Sequence, residues 1–243
     1  MALSVVQTTG ITSLGAGPTS YAATFASATT AGNLLVALMG IGSSSATMAT
    51  DAADTWTILE GGSILANSKM EMWYVASCVG GKTGYTFTRS TAGTGSLILA
   101  EIAGAVASPF DVSTHTAGTT STTITTGSTA STAQANEIWI AGFFGSENIT
   151  GAGTGTLSGL TAGYTLDIQN APTTGSTTNV VIGLAHQVVS STGTASASVT
   201  ISAAPTGQCG LLVTFSGSAG GGGPDPFPVG YPTAQLASAV YRM

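Results

Sequence analysis

Charged side chains are the scarcest feature of this sequence. Only 6% of its 243 residues are charged, compared with about a quarter in a typical soluble domain. The net charge is −6, and the cations are Lys69, Lys82, Arg89 and Arg242. No basic patch is therefore available to bind phosphates or anionic lipid heads, which argues against nucleic acid or a membrane surface as a partner. Because so weakly charged a surface repels other proteins little, we expect the chain to associate with them.

Long apolar runs, cysteines and histidines are also few. No stretch approaches the 18 apolar residues of a membrane-spanning helix, and the first residues lack the basic and apolar regions of a secretory signal. Cys78 and Cys209 lie far apart, so two buried thiols are expected, with a disulfide between them as the alternative. His115 and His186 have no second ligand two or four residues away. Both are predicted to be structural rather than zinc ligands.

The motifs of common enzymes are missing as well. No Gly-x-Ser-x-Gly sequence occurs, and the glycine run at residues 220–223 precedes proline rather than the lysine of a phosphate-binding loop. Glu71 and Glu101 lie in apolar segments at positions that could face each other, as an acid and base pair acting on a glycan would. A lone strand glutamate more often meets solvent, a subunit boundary or a cation such as Lys69 or Arg89. We therefore predict that the chain is not an enzyme.

The positions of several carboxylates allow a calcium ion as a possible cofactor. Asp51, Asp54 and Asn67, or Asp167 and Asn170, could supply oxygen ligands from loops. The sequence nevertheless contains no Asp-x-Asp-x-Asp-Gly run of the kind that forms a calcium-binding loop. The expectation is that no cofactor is bound, with a structural calcium ion as the alternative.

The residues that are abundant indicate an all-β protein. Short runs rich in Val, Ile, Leu, Thr, Tyr and Phe alternate with clusters of Gly, Ser, Thr and Asn, which is the pattern of a sandwich or barrel. Residues 33–39 and 136–144 are apolar at both odd and even positions. They are predicted to be central strands that are covered on both faces. In residues 85–88 (YTFT), large aromatic side chains alternate with threonine. This segment should therefore be half exposed.

An internal repeat organises these strands. Five segments recur in the same order, and the offset between partners grows from 103 to 113 residues, as small loop insertions would produce. The paired segments are 33–42 with 136–145, 55–59 with 163–168, 70–78 with 180–188, 84–89 with 197–202, and 95–104 with 208–217. We interpret them as two similar halves, at about residues 30–105 and 136–217.

The repeat predicts the architecture. Two five-stranded halves, each unable to cover its own apolar face, are expected to pack face to face as a jelly-roll-like antiparallel β-sandwich over residues 1–216. Two separate small domains are the alternative. The Thr- and Ser-rich segment 105–135 lacks the character of a flexible linker and is predicted to form an edge strand pair.

The composition changes abruptly after Phe215. Residues 217–243 contain a glycine run followed by spaced prolines, which predicts a hinge and an extended C-terminal arm. Such an arm suits a groove or sheet edge of a partner, whereas a frayed terminus is the alternative. The candidate partner-binding side chains are its large apolar and aromatic residues, namely Phe227, Tyr231, Leu236, Val240 and Tyr241.

The aromatic residues of the body allow two interpretations. Trp56, Trp73, Tyr74, Trp139 and Tyr164 could stack on sugars, as in carbohydrate-binding sandwiches. Trp56 and Tyr164 occupy matching positions of the repeat, each at the start of a strand after a turn, where a large ring closes the end of a sandwich. This match favours the core interpretation over a sugar platform.

Four short segments resemble a pattern found in jelly-roll proteins of tailed phages and prophages. They are residues 32–36 (GNLLV), 54–57 (DTWT), 72–75 (MWYV) and 99–104 (LAEIAG). The resemblance covers about residues 30–115 and continues more weakly to 217. It implies a virion component of the capsid-decoration, head-fibre or tail-fibre type, and it carries no catalytic residue.

The functional expectation follows from this resemblance together with the low charge, the repeat and the tail. We expect a phage structural protein, a decoration or minor coat subunit that is assembled in the host cytoplasm, resides in the virion and binds neighbouring virion proteins. A homo-oligomer is expected, with a trimer favoured. The alternative is a carbohydrate-binding or adhesin module of a tail fibre or cell surface, with a glycan as its ligand.

Overall fold

The computed structural model describes residues 1–13, 19–43, 45–65, 68–118, 121–147, 155–170 and 179–218. Within these ranges the chain forms sixteen β-strands, every pairing between them is antiparallel, and no helix occurs. The all-β prediction is confirmed. The described residues accordingly include no helix that is long and apolar enough to span a membrane.

The strands divide into two sets of eight. The first set is β1 (Ser4–Ser13), β2 (Ser20–Thr24), β3 (Leu34–Ile41), β4 (Met48–Ala49), β5 (Thr57–Leu65), β6 (Ser68–Val75), β7 (Gly84–Arg89) and β8 (Gly95–Ala103). The second set is β9 (Ala105–Gly118), β10 (Thr123–Ser131), β11 (Glu137–Glu147), β12 (Leu157–Ser158), β13 (Thr165–Asn170), β14 (Asn179–Val189), β15 (Thr194–Ile201) and β16 (Gly207–Gly217).

Sheet topology shows that the second set repeats the first. The first set forms a five-stranded sheet in the order β1-β8-β3-β6-β5 and a three-stranded sheet in the order β2-β7-β4. The second set forms sheets in the orders β9-β16-β11-β14-β13 and β10-β15-β12, so that each strand is replaced by the one eight places later. The repeat is therefore longer than the five segments that the sequence aligned. It also includes β1, β2 and β4 and their partners β9, β10 and β12.

Each half is itself a two-sheet sandwich, and the two sandwiches are stacked. The central core lies between the two five-stranded sheets. In each half, one further core lies between the five-stranded sheet and the three-stranded sheet. The expected antiparallel β-sandwich of two facing five-stranded sheets, one from each half, is confirmed, but the two three-stranded outer sheets that cover it were not predicted. The alternative of two separate domains is excluded, because the central core takes residues from both halves. Its large members are Leu34, Val36, Leu38, Met70, Met72, Ile98, Ile138, Ile140, Phe144, Ile182, Leu184, Leu211, Val213 and Phe215.

Strands apolar on both faces occupy the positions predicted for them. All eight residues of β3 are buried, with Leu38 in the central core and Met39 in the core shared with β2, β4 and β7. Strand β11 is sandwiched in the same way, with Ile140 in the central core and Phe143 in the third core. At the flanks of the stack, β1 lies against β13 and β5 lies against β9, as a two-fold relation between the halves requires.

The structure corrects the register of the repeat. Leu34 faces the central core, and so does Ile138, so these two residues are equivalent. The sequence match pairs Ile138 with Leu35, which faces the opposite core. A one-residue slip turns every side chain of a strand to the other face. Because both faces of β3 and β11 are apolar, the hydrophobic pattern contains no signal that fixes the register.

The segment predicted as an edge strand pair forms two edge strands of different sheets. Strand β9 borders β16 in a five-stranded sheet, and β10 borders β15 in a three-stranded sheet. The ladder between β9 and β16 shifts register twice, between Val213 and Phe215 and between Phe215 and Gly217. Such irregularities bend an edge strand and interrupt the row of backbone groups that another chain could pair with.

The two central strands pack closely where a glycine replaces a side chain. A Cβ atom on Gly40 would lie 2.6 Å from both Ile182 Cγ2 and Phe144 Cδ2 of the facing sheet. On β11, a Cβ atom on Gly142 would lie 2.7 Å from Leu38 Cδ1. These glycines therefore let the two five-stranded sheets approach each other within the central core.

Replacing Gly40 with alanine is expected to destabilise the protein by about 1–3 kcal/mol, because the added methyl group must displace two buried side chains. Gly42→Ala is the matched control, since its Cβ would meet only Thr94 atoms at 3.6 Å or more. Urea unfolding of both variants provides the measurement. Equal stability of the two variants would contradict this account of the central core.

Candidate interaction surface

The outermost sheet of the second half presents an uncharged face to solvent. In β15 the side chains of Ala195, Ala197, Val199 and Ile201 point inward and are buried, because alternate residues of a strand face opposite sides. The outward positions of β10 and β15 therefore carry the side chains that meet water. These outward residues, which we call the hydroxyl face, are Thr123, Thr125, Ser128, Ser131, Thr194, Ser196, Ser198 and Thr200.

Strand pairing arranges these side chains in rows. Thr123 lies opposite Thr200, Thr125 opposite Ser198, Ser128 opposite Ser196, and Ser131 opposite Thr194. Opposite side chains are therefore about 5 Å apart across the strands, whereas register shifts on both sides of Ser128 make the spacing along β10 differ from that along β15. Each hydroxyl donates one hydrogen bond and accepts two, and none carries charge. The face is an uncharged surface of small polar groups.

The outermost sheet of the first half has the same character. Strands β2 and β7 turn Tyr21, Tyr85 and Phe87 inward, where all three are buried. The outward positions of these strands carry only small uncharged residues, with Ser20 opposite Thr88, Ala22 opposite Thr86, and Thr24 opposite Gly84. Both ends of the four-layer stack thus lack charged outward side chains on their main paired strands.

The charged residues lie beside these faces and around the central sheets. Lys82 forms an ion pair with Asp51 between the strands of the first half. Asp51 also accepts hydrogen bonds from the backbone amides of Ala53 and Thr86. Although burial alone would raise the pKa of Asp51, the hydrogen bond from Lys82 and those from the two amides lower it below its ordinary value. This carboxylate is thus held in its charged form.

The two glutamates predicted as a facing pair are not brought together. Glu71 lies opposite Met39 of β3 and Glu101 lies opposite Leu35, so four residues, or about 13 Å along the strand, separate them. A glycosidase requires its carboxyl groups about 5–10 Å apart. Glu71 instead pairs with Lys69 at 2.5 Å and accepts a hydrogen bond from Trp73 Nε1 at 3.2 Å. The pairing with Lys69 is one of the structural roles that the sequence favoured for this residue over catalysis.

Glu101 is fully buried and is satisfied by amide groups. Gln7 Nε2 and Asn33 Nδ2 each donate to its carboxylate at 2.6 Å, and the backbone amide of Thr30 donates at 2.8 Å. The carboxylate therefore links β1, the loop before β3 and β8 at one end of the first half. A buried ion needs such a complete set of donors to be tolerated. Its role in this structure is to hold three segments together.

The second half contains a different arrangement at the corresponding end. Glu137, at the start of β11, is fully buried and accepts a hydrogen bond from Trp139 Nε1 at 3.0 Å. Burial, together with a hydrogen bond to the carboxyl group of Asp111 on β9, raises the pKa of Glu137 to about 7. Asp111 in turn accepts a hydrogen bond from the backbone amide of Ala133 at 2.6 Å. Two carboxyl groups thus meet where the first half places one carboxylate among amides.

The strand pairing of the two halves shows which residues occupy equivalent positions at this end. Because Leu34 is equivalent to Ile138, Asn33 is equivalent to Glu137, the preceding residue. Thr214 is equivalent to Glu101, since it lies opposite Trp139 as Glu101 lies opposite Leu35. The buried glutamate therefore lies on β8, the last strand, in the first half, and on β11, the central strand of its sheet, in the second half. The sequence gives no sign of this exchange, because Asp111 and Glu137 are far apart along the chain.

The residues considered for calcium make other contacts. Asp54 accepts hydrogen bonds from the Val79 amide at 2.9 Å and from Tyr85 OH at 3.2 Å. Asn170 donates to Ser96 Oγ at 3.0 Å and so joins the two five-stranded sheets, while Asn67 lies outside the described residues. Across the described ranges, no group of three His, Cys, Asp or Glu side chains is placed to hold a metal ion. The calcium alternative remains a prediction without structural support.

One ionisable pair was missed by sequence reasoning. His186 Nδ1 lies 2.8 Å from Asp167 Oδ1, with both side chains largely buried. Asp167 falls where the ladder between β13 and β14 shifts register, and that irregularity brings its side chain to the neighbouring strand. The equivalent residues in the first half, Leu59 and Tyr74, are apolar and pack on the central core. His115 lies exposed on edge strand β9.

The aromatic side chains belong to the cores and their margins. Trp56 packs edge to face against Tyr85 and Phe87, with ring centroids 5.7 Å and 5.1 Å apart. Trp73 packs on the same core, and Trp139 and Tyr164 pack on the core of the second half. These contacts favour the core interpretation over a sugar-stacking platform.

Both cysteines are buried and neither forms a disulfide, which confirms the expectation of two buried thiols. Cys209 belongs to the central core, whereas Cys78 belongs to the core beneath β2, β4 and β7. Since the two side chains lie in different layers, a disulfide between them would require rearrangement of the stack. Burial raises the pKa of the Cys78 thiol, and the nearby carboxylates of Asp54 and Glu101 raise it further.

A groove of about 370 Å³ opens at the end of β6. Its lining includes Asp54, Thr57, Tyr74, Ser77 and Val79. The predicted arm residues Phe227, Tyr231, Leu236, Val240 and Tyr241 lie outside the described residues, so the structure does not place them.

Comparison with protein-family models, with curated proteins and with solved structures finds no match to this chain. The resemblance to phage jelly-roll proteins therefore stays a prediction.

Raising the pH is expected to destabilise the contact between Asp111 and Glu137. Because the pKa of Glu137 is raised from 4.5 to about 7 in the folded protein, folding retains a proton that the unfolded chain has lost in this window. This contribution to stability is complete below about pH 4.5 and disappears as the pH rises through about 7, with a magnitude of up to about 3 kcal/mol. Thermal unfolding between pH 5 and pH 8 measures it.

Asp111→Asn provides the matched comparison. An asparagine retains an oxygen for the Ala133 amide and adds an NH₂ donor for Glu137, which reproduces the amide-rich arrangement around Glu101. The variant is expected to be more stable than the unaltered chain at pH 8 and to lose less stability between pH 5 and pH 8. An unchanged pH dependence in the variant would show that other groups govern it.

Proposed function

We propose that this chain is a structural subunit of a larger protein assembly, specifically a phage virion protein of the decoration or minor coat type. The observation that carries the proposal is the pair of uncharged outer faces at opposite ends of the four-layer stack. A protein surface normally has roughly 25–35% charged residues, which keep molecules apart. Here the main outward positions of β2, β7, β10 and β15 carry Ser, Thr, Ala and Gly.

Physical chemistry connects such faces to assembly. Removing a charged side chain from water is expensive unless it finds a partner, whereas a hydroxyl group can exchange its water for a neighbouring hydroxyl or backbone group at little net free-energy change. Threonine also adds a methyl group and a restricted side-chain conformation, so that little entropy is lost on contact. Uncharged faces of this kind suit repeated contacts between subunits.

Strand order supports the jelly-roll part of the proposal. In the first half, β1-β8-β3-β6 lies opposite β2-β7-β4, so that successive strands cross between facing sheets as the chain winds inward. The second half repeats this winding with β9-β16-β11-β14 opposite β10-β15-β12. Jelly rolls wind in this way and are common in viral capsid proteins. The fifth strand of each half departs from the pattern by joining the larger sheet.

The point at which the chain leaves the body supports a separate arm. The amide of Gly217 donates to Asn136 O and the amide of Ser218 donates to Gly104 O, both at 2.8 Å. These bonds close the end of β16 onto the starts of β11 and β9. The arm that follows is proposed to contact a neighbouring subunit through Phe227, Tyr231, Leu236, Val240 and Tyr241.

Ending the chain after Ser218 is expected to leave the body folded and to abolish self-association and binding to the assembly. The physical reason is that the core and the closing hydrogen bonds are retained while the arm is removed. Thermal unfolding checks the fold. Light scattering compares the mass of the two chains, and the full chain is expected to be a trimer whereas the truncated chain is expected to be a monomer. A truncated chain that assembles as the full chain does would remove the arm from the proposal.

A carbohydrate-binding role is the second candidate, and the hydroxyl face is the observation that favours it. Its rows of donors and acceptors match the uncharged hydroxyl groups of a glycan better than the ring of Trp73, which packs on a core. A glycan array should then give binding that is lost in Thr125→Glu and retained in Ser20→Glu on the opposite outer face. Absence of binding to any glycan on the array would reject this candidate.

A further inference from the structure

The groove at the end of β6 lies close to the point where the arm begins. The ring of Tyr74, which lines the groove, packs against Phe215 with centroids 5.6 Å apart. Phe215 precedes Ser218, the last described residue, by only three positions. The nine residues from Ser218 to Phe227 span up to about 30 Å when extended. An arm residue can therefore reach this groove on its own subunit or on a neighbour.

The walls of the groove are held in place by hydrogen bonds. Asp54 connects the two loops that form the walls, since it accepts from the Val79 amide at 2.9 Å and from Tyr85 OH at 3.2 Å. These bonds satisfy both carboxylate oxygens of the single charged residue in the lining. Val79 is 73% exposed at the rim. The groove thus combines an aromatic ring, an exposed aliphatic side chain and small hydroxyl groups.

In the described part of the second half, a histidine occupies the position of Tyr74. Thr57 lies opposite Tyr74, as Thr165 lies opposite His186, so His186 stands in the place of Tyr74. His186 is paired with Asp167. At this margin of the central core, the first half therefore has an aromatic ring and the second half has an ionisable pair. Among the described residues, the aromatic ring at this position belongs to the first half.

We infer that this groove is the binding site for residues 224–232 of the C-terminal arm. The segment reads PDPFPVGYP and contains four prolines and two aromatic rings. Proline-rich segments bind aromatic-lined grooves because their extended conformation is restricted beforehand and loses little entropy. A volume of about 370 Å³ is near the lower limit of small-ligand sites, which suits one or two anchoring side chains rather than a folded partner.

Disulfide trapping in the full chain tests the contact. Ser77→Cys places a thiol in the exposed lining of the groove, and Val229→Cys places one beside Phe227 in the arm. The matched control combines Val229→Cys with Ser158→Cys, at an exposed position on β12 far along the fold from β6. The native thiols of Cys78 and Cys209 are buried. Peptide mapping identifies which cysteines join under mild oxidation.

The groove pair is expected to form at least about tenfold faster than the control pair, because docking raises the local thiol concentration. Phe227→Ala should reduce this advantage. A bond within one chain and a bond between two chains both support the inference, since the occupant is the same segment. Equal rates for the groove and control pairs would overturn it, as would trapping that is unaffected by Phe227→Ala.

This inference refines the arm contact of the proposed function but can fail independently of it. Trapping is measured on the purified chain, whereas the assembly role is tested by truncation after Ser218. If trapping fails while truncation still abolishes assembly, the arm binds elsewhere on a neighbour and the groove is not its site. If trapping succeeds while truncation leaves assembly intact, the groove holds the arm and the proposed assembly role of the arm is wrong.

Discussion

Burial of both faces of the two five-stranded sheets is the constraint on which the rest of the structure depends. A sheet with one apolar face needs one cover, but β3 and β11 are apolar on both faces and need two. Each half supplies one cover from its own three-stranded sheet. The second cover is the other half. Neither half can therefore be stable alone with Leu38 or Ile140 exposed to water, and the duplicated sequence forms a single stack.

The same constraint explains the unusual composition. Four layers contain six sheet faces that are buried, and only the two outermost faces remain for solvent. Charged side chains are nearly absent from the buried faces because they would require partners, and buried Glu101 is surrounded by donors. The outer faces of β2 and β7 and of β10 and β15 use hydroxyl groups instead. Low charge is thus partly a result of stacking and partly a property of the outer faces.

Much of the fold could be predicted from the sequence, whereas its register and polar contacts could not. The central strands follow from their apolar runs, and the ion pair of Lys69 with Glu71 follows from two positions on one face of a strand. The number of layers was missed because the pattern shows that a face is covered but not by which strands. His186 and Asp167 meet only because the ladder of β13 shifts, and no local pattern in the sequence marks that shift.

The differences between the halves are as informative as their similarity. Packing requires that equivalent positions in the central core stay apolar, so substitutions there are restricted. The positions at which an ionisable side chain stands in one half and an uncharged one in the other include the ends and flanks of the stack, where Glu137 corresponds to Asn33 and His186 to Tyr74. A subunit with two identical halves would offer the same contact on both sides. Within the described residues, divergence at these margins places an aromatic groove on the first half and a carboxyl pair on the second, and thus makes two distinguishable sides, which a subunit needs to occupy a defined orientation among its neighbours.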